Sequence, residues 1–70
     1  MSTIQSPVSG SVLRLEVQAG DNVSAGQTLA IVESMKMEIP VEAETAGTVT
    51  ALHVQVGDHV DEDAAIADIA

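Results

Sequence analysis

Residues 10–23 read GSVLRLEVQAGDNV, and residues 47–60 repeat this pattern as GTVTALHVQVGDHV. Superposing residues 6–32 on residues 43–69 aligns nine identical residues, among them the Gly-Asp pair of each copy. Two copies are fewer than the three or more that a solenoid needs to bury a continuous core. The sequence therefore predicts two similar units that pack against each other about a pseudo-two-fold axis.

Apolar and polar residues alternate in both copies, at residues 13–17 and 52–56. This period of two is typical of β-strands. Val12 and Val49 recur in the two copies but are out of phase with these strands. A β-bulge or sharp bend before each strand would explain the shift. Short, curved strands separated by turns predict an all-β fold, a small closed or sandwich-like barrel.

Glycine followed by aspartate marks a turn in each copy, at residues 19–22 and 56–59. Glycine tolerates positive φ, and an aspartate side chain bonds nearby backbone, which are the properties that tight turns require. A phosphate-binding loop is not expected, because the strand-to-helix context that it needs is absent. We expect four glycines to be turn or bulge residues: Gly10, Gly20, Gly47 and Gly57.

The composition indicates one small domain with an aliphatic core. The 70 residues are 46% hydrophobic, with no cysteine and no aromatic side chain. A chain of this length builds a single domain, residues 1–70, with the repeats at 6–32 and 43–69 and a hairpin at 33–38 between them. Val, Ile, Leu and Ala must hold this fold without disulfides or thiolate metal sites. The small size argues against an enzyme with its own substrate cleft.

The charge balance restricts the partners. Two basic and eleven acidic side chains give a formal net charge of −9. Arg14 and Lys36 alone cannot neutralise a phosphate backbone, so we expect neither nucleic acid nor an anionic membrane as a partner. The N-terminal residues lack the pattern of a signal peptide, and no apolar run approaches the ~20 residues of a membrane span. These features predict a cytoplasmic location.

The segment between the repeats reads as a hairpin. Residues 31–41 are arranged symmetrically about the bond between Met35 and Lys36. Pairing the two arms places the following residues opposite each other: Val32 and Ile39, Glu33 and Glu38, Ser34 and Met37. Met and Lys lack the preference for positive φ that two-residue hairpin turns require, and two facing glutamates repel each other. Local rules broken in one place without a structural gain indicate function.

Lys36 is the only lysine of the chain, and the hairpin places it in the turn. An exposed lysine amine is protonated at neutral pH and is a poor nucleophile until it is activated. No residue pattern near it provides that activation. We therefore expect another enzyme to acylate Lys36 from an activated acyl donor.

Residues 33–38, ESMKME, resemble the biotin-attachment motif of biotinyl domains, in which the lysine of a Met-Lys-Met triplet is biotinylated. Residues 7–10, PVSG, are similar to the Pro-Met-x-Gly segment of that family, and residues 20–29, GDNVSAGQTL, to its turn-and-strand pattern. The resemblance covers nearly the whole chain and is closest to biotin carboxyl carrier domains and to small stand-alone biotin/lipoyl attachment proteins. It implies a flattened barrel-sandwich hybrid of two four-stranded sheets with quasi-two-fold symmetry, the lysine at a hairpin tip and both termini at the other end.

The resemblance also implies a function. A biotin protein ligase would attach biotin covalently to Lys36, and the domain would then shuttle a carboxyl group between biotin carboxylase and carboxyltransferase components. Such a domain is a non-catalytic carrier, expected to be a monomer in isolation. Met35 and Met37 would form a surface that partner enzymes recognise; the alternative is that they fold back over the end of the barrel.

Three positions depart from the family pattern: Ser34 replaces a commoner Ala, Val8 replaces Met, and Asp63 stands where the first copy has Gly26. Two other functions remain open. The first is a lipoyl carrier of a 2-oxoacid dehydrogenase-like complex, in which lipoate replaces biotin. The second is an unmodified module of the same fold, as in membrane-fusion proteins, and the presence of Lys36 counts against it.

Four further side chains have a simple surface interpretation beside a functional one. Glu33 and Glu38 either steer a basic partner or are solvated strand ends, and the sequence does not distinguish these alternatives. His53 lies in the polar phase of its strand, and His59 follows a turn aspartate. For both histidines we expect a surface position and no metal.

Overall fold

The computed structural model describes residues 2–70; Met1, the first residue of the expected domain, lies outside them. Within residues 2–70 there is no helix, and so none long and apolar enough to cross a membrane. The eight strands are β1 Ser2–Gln5, β2 Gly10–Leu15, β3 Asn22–Val23, β4 Thr28–Ser34, β5 Met37–Glu42, β6 Gly47–Leu52, β7 His59–Val60 and β8 Ala65–Ile69.

The strands form two four-stranded antiparallel sheets, in the orders β1-β8-β6-β3 and β5-β4-β2-β7. The sequence offset that relates the two repeats, as between Gly10 and Gly47, maps β2 onto β6, β3 onto β7 and β4 onto β8. The two sheets are therefore equivalent halves. This confirms the expected all-β sandwich of two four-stranded sheets with quasi-two-fold symmetry.

The equivalence extends to β1 and β5, which lie outside the repeat found in the sequence. Three cross-strand pairs in the β4–β5 ladder recur, at the repeat offset, in the β8–β1 ladder: Val32–Ile39 as Ile69–Ser2, Ile31–Pro40 as Asp68–Thr3, and Ala30–Val41 as Ala67–Ile4. The pseudo-two-fold axis therefore exchanges the turn between β4 and β5 with the place where β1 begins and β8 ends.

The predicted bulges are present. The ladder between β2 and β4 shifts register between Val12 and Arg14, and the ladder between β6 and β8 shifts at the equivalent place, between Val49 and Ala51. Two further shifts, in the β4–β5 and β1–β8 ladders, are also equivalent to each other. A bulge bends its strand and increases the local twist. These bends let small sheets curve around a narrow core.

The strands at the two alternating segments end before the alternating pattern does. Strand β2 ends at Leu15 and β6 at Leu52, so most of 52–56 lies after a strand. Val56 follows the apolar phase of that pattern but is 61% exposed. The chain leaves the sheet here to enter the Gly-Asp turn, and this tertiary constraint outweighs the alternation.

One cluster of aliphatic side chains fills the space between the sheets. Its members are Ile4, Val12, Val17, Val23, Leu29, Ala30, Val32, Val41, Ala43, Val49, Val54, Val60, Ile66, Ala67 and Ile69. Leu29 and Ile66, which are equivalent in the repeat, are completely buried. Ser6 is the buried polar residue among those described, and its hydroxyl donates to the Val8 carbonyl over 2.6 Å. The buried hydroxyl of Ser6 therefore has a hydrogen-bond partner, as buried polar groups normally do.

Two of the four glycines expected at turns lie there. Gly20 and Gly57 have φ of 98° and 94°. In each turn the following aspartate accepts a hydrogen bond over 2.9 Å from the backbone N–H three residues before it. Gly26 also has a positive φ, and its counterpart Asp63 adopts the same left-handed conformation at φ 70° without being glycine.

The expectation that Gly10 and Gly47 are turn or bulge residues is wrong. Each begins a strand, β2 and β6 respectively, and neither has a positive φ. A Cβ on Gly10 would overlap the carbonyl oxygen of Glu33, and one on Gly47 would overlap that of Ala70. These glycines are needed because two backbones approach each other closely, a tertiary contact that the sequence does not show.

Candidate functional site

Strands β4 and β5 form a hairpin closed by a two-residue turn, Met35 and Lys36, which we call the lysine turn. Its ladder contains the three pairs that the mirror pattern predicts, the last of them Ser34 with Met37. Met35 has φ 53° and Lys36 has φ 65°. Positive φ at both positions is the signature of a type I′ turn, which Asn and Gly usually occupy. The lysine turn therefore adopts a geometry that its own residues disfavour.

The side chains of the lysine turn lie in solvent. Met35 is 90% exposed, and Lys36 is exposed as well. Met37, the first residue of β5, is 58% exposed. At these exposures neither methionine covers the core, and neither belongs to the buried cluster. The hairpin thus presents an amine between two accessible thioethers.

Within the described part of the chain, no side chain engages the amine of Lys36. Among residues 2–70, Lys36 forms no ion pair and no side-chain hydrogen bond. A surface groove of about 390 Å³ lies between the end regions of β1 and β5 and is lined by residues 4, 5, 7 and 40–44. Lys36 and the flanking methionines do not line it. The arrangement therefore presents an accessible amine outside that groove.

Charged residues surround the base of the hairpin on its outer face. Glu33 lies opposite Glu38 in the β4–β5 ladder, as the sequence predicts. Arg14 of β2 reaches Glu38, with Nη2 3.6 Å from Oε1, and also Glu16, with Nε 3.2 Å from Oε1. These pairs are exposed, so each contributes little to stability. Their effect is to offset part of the repulsion between the two facing glutamates.

Both histidines lie at the surface, and their ion-pair partners are not in the lysine turn. His53 Nε2 is 3.1 Å from Asp68 Oδ2, and Thr3 Oγ1 donates to Asp68 Oδ1 over 2.9 Å. The hydrogen bond from Thr3, then that from His53, lowers the pKa of the Asp68 carboxyl below its ordinary value. His59 Nε2 is 3.5 Å from Asp61 Oδ1. The Asp68 contacts join β1, β8 and the end of β6 on the sheet that lacks the lysine turn.

Comparisons with known proteins agree with this geometry. The model of the biotin/lipoyl family, described as "Biotin-requiring enzyme", matches residues 2–69. The Biotin/lipoyl attachment protein of Bacillus subtilis is 45% identical over 42 residues, which are 60% of this chain and 58% of that protein. The Biotinylated protein TB7.3 homolog of Mycolicibacterium smegmatis is 48% identical over 40 residues, 57% of this chain and 56% of that protein. The matched segments thus span less than two thirds of these relatives.

A solved structure extends the similarity to the whole fold. The urea carboxylase of Kluyveromyces lactis superposes with a TM-score of 0.93 at 30% identity, covering 99% of this chain and 6% of that enzyme. The small share of the enzyme shows that the similar part is one module of a much larger protein. The resemblance inferred from residues 33–38 is confirmed by the match over residues 2–69, and the chain belongs to the biotin/lipoyl family.

Proposed function

We propose that this chain is a biotin carboxyl carrier domain and that biotin is attached through an amide bond to Nζ of Lys36. One observation carries the proposal: the only lysine of the chain lies exposed in a turn whose two residues adopt a conformation that they disfavour. Membership of a family described as biotin-requiring supplies the identity of the acyl group.

The residues of the lysine turn fit a covalently held biotin. A ligase must reach the lysine amine, and the exposure of Met35, Lys36 and Met37 leaves that amine open on several sides. The protonated amine would lose a proton and attack the carboxyl carbon of a biotinyl adenylate supplied by the ligase. The carbon–oxygen bond to AMP breaks, AMP leaves, and a second proton is lost as the amide forms. Amide formation removes one positive charge and makes the net charge of −9 one unit more negative. Lys36 forms no ion pair with residues 2–70, so the fold should tolerate the change.

The protein's own contribution is presentation. When bound, biotin supplies a ring nitrogen that accepts a carboxyl group at one active site and releases it at another. The lysine turn holds the attachment point outside the barrel, where partner active sites can receive it. The flexible thioethers of Met35 and Met37 provide an adaptable apolar contact beside it. Because the group is tethered, it visits two sites at a high effective concentration.

The proposed partners are a biotin protein ligase and the biotin carboxylase and carboxyltransferase components of a carboxylase. Relatives that support this choice include a urea carboxylase and the 1.3S subunit of a methylmalonyl-CoA carboxyltransferase. The high negative charge opposes self-association, so we propose a monomer in isolation. We also propose a cytoplasmic location, because the domain must meet the proposed ligase and carboxylase components.

The test is co-expression of the full chain with a biotin ligase and, separately, with a lipoate ligase, followed by intact mass measurement and fragmentation. We expect a single biotinyl increment on Lys36 and none in Lys36→Arg, which keeps the positive charge. The variant should retain the wild-type Tm, since an exposed turn side chain contributes little to the core.

Three outcomes would contradict the proposal. A lipoyl increment alone would assign the domain to acyl transfer. The absence of any increment would leave an unmodified module. A biotinyl increment that persists in Lys36→Arg would place the attachment on another group.

A further inference from the structure

The hairpin that carries the lysine turn rests on strand β2 at Gly10. A Cβ built on Gly10 would overlap the carbonyl oxygen of Glu33, and it would lie 2.9 Å from the carbonyl carbon of that residue and 3.0 Å from Cγ1 of Val32. The overlapping atoms belong to the backbone, so no side-chain rotation relieves the contact. Alanine at position 10 would displace β4 by on the order of 1 Å, because carbon–oxygen contacts need roughly 3–3.5 Å.

A displacement at Glu33 is transmitted to the lysine turn. Glu33 pairs with Ser11 of β2 on one side and with Glu38 of β5 on the other, and the next pair closes the turn. Both arms of the hairpin therefore move together when Glu33 moves. Within residues 2–70, the side chains of the turn are exposed and do not belong to the buried cluster that would hold the turn in place.

The pseudo-two-fold symmetry provides a matched position without the lysine turn. Gly47 is the repeat equivalent of Gly10 and begins β6 as Gly10 begins β2. A Cβ on Gly47 would overlap the carbonyl oxygen of Ala70 and lie 2.7 Å from Cγ2 of Ile69. The same close approach thus occurs twice, once beneath the hairpin and once beneath the C-terminal residue.

We propose that Gly10 is a positioning residue for Lys36: its missing side chain lets β2 support Glu33 closely enough to set the direction in which the hairpin presents the amine to an acylating enzyme. This inference rests on the proposed function of Lys36. Gly47 makes the equivalent contact for the stability of the fold alone. The two glycines therefore have the same structural role and different functional roles.

The test compares Gly10→Ala with Gly47→Ala in the full chain. Both variants should lower Tm, and trimethylamine N-oxide keeps both folded during the assays. With a biotin ligase, we expect kcat/KM for the Gly10 variant to fall about tenfold, since a misplacement of about 1 Å can cost up to ~10²-fold. The Gly47 variant should stay within about twofold of the wild type.

A second readout separates orientation from accessibility. Acetylation of Lys36 by N-hydroxysuccinimidyl acetate requires only an exposed amine, so its rate should be the same in the wild type and both variants. The proposal is overturned if the two variants have equal ligase kcat/KM, or if the reagent rate falls together with the ligase rate in Gly10→Ala.

Backbone amide shifts distinguish failure of this inference from failure of the proposed function. In ¹⁵N spectra, Gly10→Ala should move the resonances of residues 33–38, whereas Gly47→Ala should leave them unchanged. If the wild type accepts no biotin but this contrast appears, the proposed function is wrong and the positioning geometry stands. If residues 33–38 do not respond to Gly10→Ala, the positioning role is wrong whatever the acyl group.

Discussion

The lysine turn carries a stability cost that substitution should remove. Met35 and Lys36 have φ of 53° and 65°. In this left-handed region an ordinary L-residue costs about 1–2 kcal/mol, whereas Asn and Gly adopt it routinely. Asn followed by Gly is also the preferred sequence of a type I′ turn. We therefore predict that the double substitution Met35→Asn and Lys36→Gly stabilises the fold.

The size of the gain follows from the exposure of the turn. Met35 is 90% exposed, so replacing it loses almost no buried apolar surface. Asn at this position should recover about 0.5–1 kcal/mol of the backbone cost. Gly at the next position recovers about 1–2 kcal/mol, of which about 0.5–1 kcal/mol is lost to the greater freedom of the unfolded chain. The expected net gain of about 1–2 kcal/mol raises Tm by roughly 5–15 °C in a domain of this size.

Far-UV circular dichroism is the suitable probe, because the chain has no Trp or Tyr for fluorescence. Thermal and urea unfolding of the double variant should give a higher Tm and midpoint with an unchanged m-value. Val56→Asn is the control, since Val56 is 61% exposed but is not among the residues with positive φ. An unchanged Tm in the double variant, or an equal rise in the control, would refute the idea that backbone conformation strains this turn.

Three more predictions concern the rest of the fold. Asp63→Gly should raise Tm slightly and Gly26→Ala should cost about 1 kcal/mol in urea unfolding, since both positions have positive φ. Two side-chain donors lower the pKa of the Asp68 carboxyl. The carboxylate therefore contributes to stability above the unfolded pKa of about 3.9, and this contribution is lost as pH falls through the lower folded pKa. In Asp68→Asn, Tm measured from pH 2 to 6 should lack this pH-dependent contribution. Leu29→Ala, at a fully buried site, should cost about 2–5 kcal/mol and lower the urea midpoint markedly.

The hairpin and the bulges were predictable because both leave a signal in local order. Mirror symmetry about the bond between Met35 and Lys36 gives the register of β4 and β5 pair for pair. The phase error of Val12 and Val49 locates the two register shifts. In each case the side-chain pattern follows directly from the backbone periodicity of a strand.

Contacts between backbones left no such signal. From the sequence, Gly10 and Gly47 are expected to be turn or bulge residues. A glycine can be required either for a positive φ or for a close backbone contact, and the sequence does not show which one applies. The equivalence of β1 and β5 was also missed. Their inward residues, such as Ile4 and Val41, need only be aliphatic to fill the core, so the pairing leaves few identities to detect.

The pseudo-two-fold symmetry repeats the elements that stabilise the fold but does not repeat the lysine turn. Strands, bulges and close glycine contacts occur twice, and Leu29 and Ile66 are buried equally in the two halves. The counterpart of the turn between β4 and β5 is the place where β1 begins and β8 ends. Substitutions at equivalent core positions should therefore affect unfolding alike, whereas the double turn substitution should gain stability and lose the attachment amine. A gain in Tm accompanied by loss of biotinylation would show that the attachment amine is held in the turn at a cost to the stability of the fold.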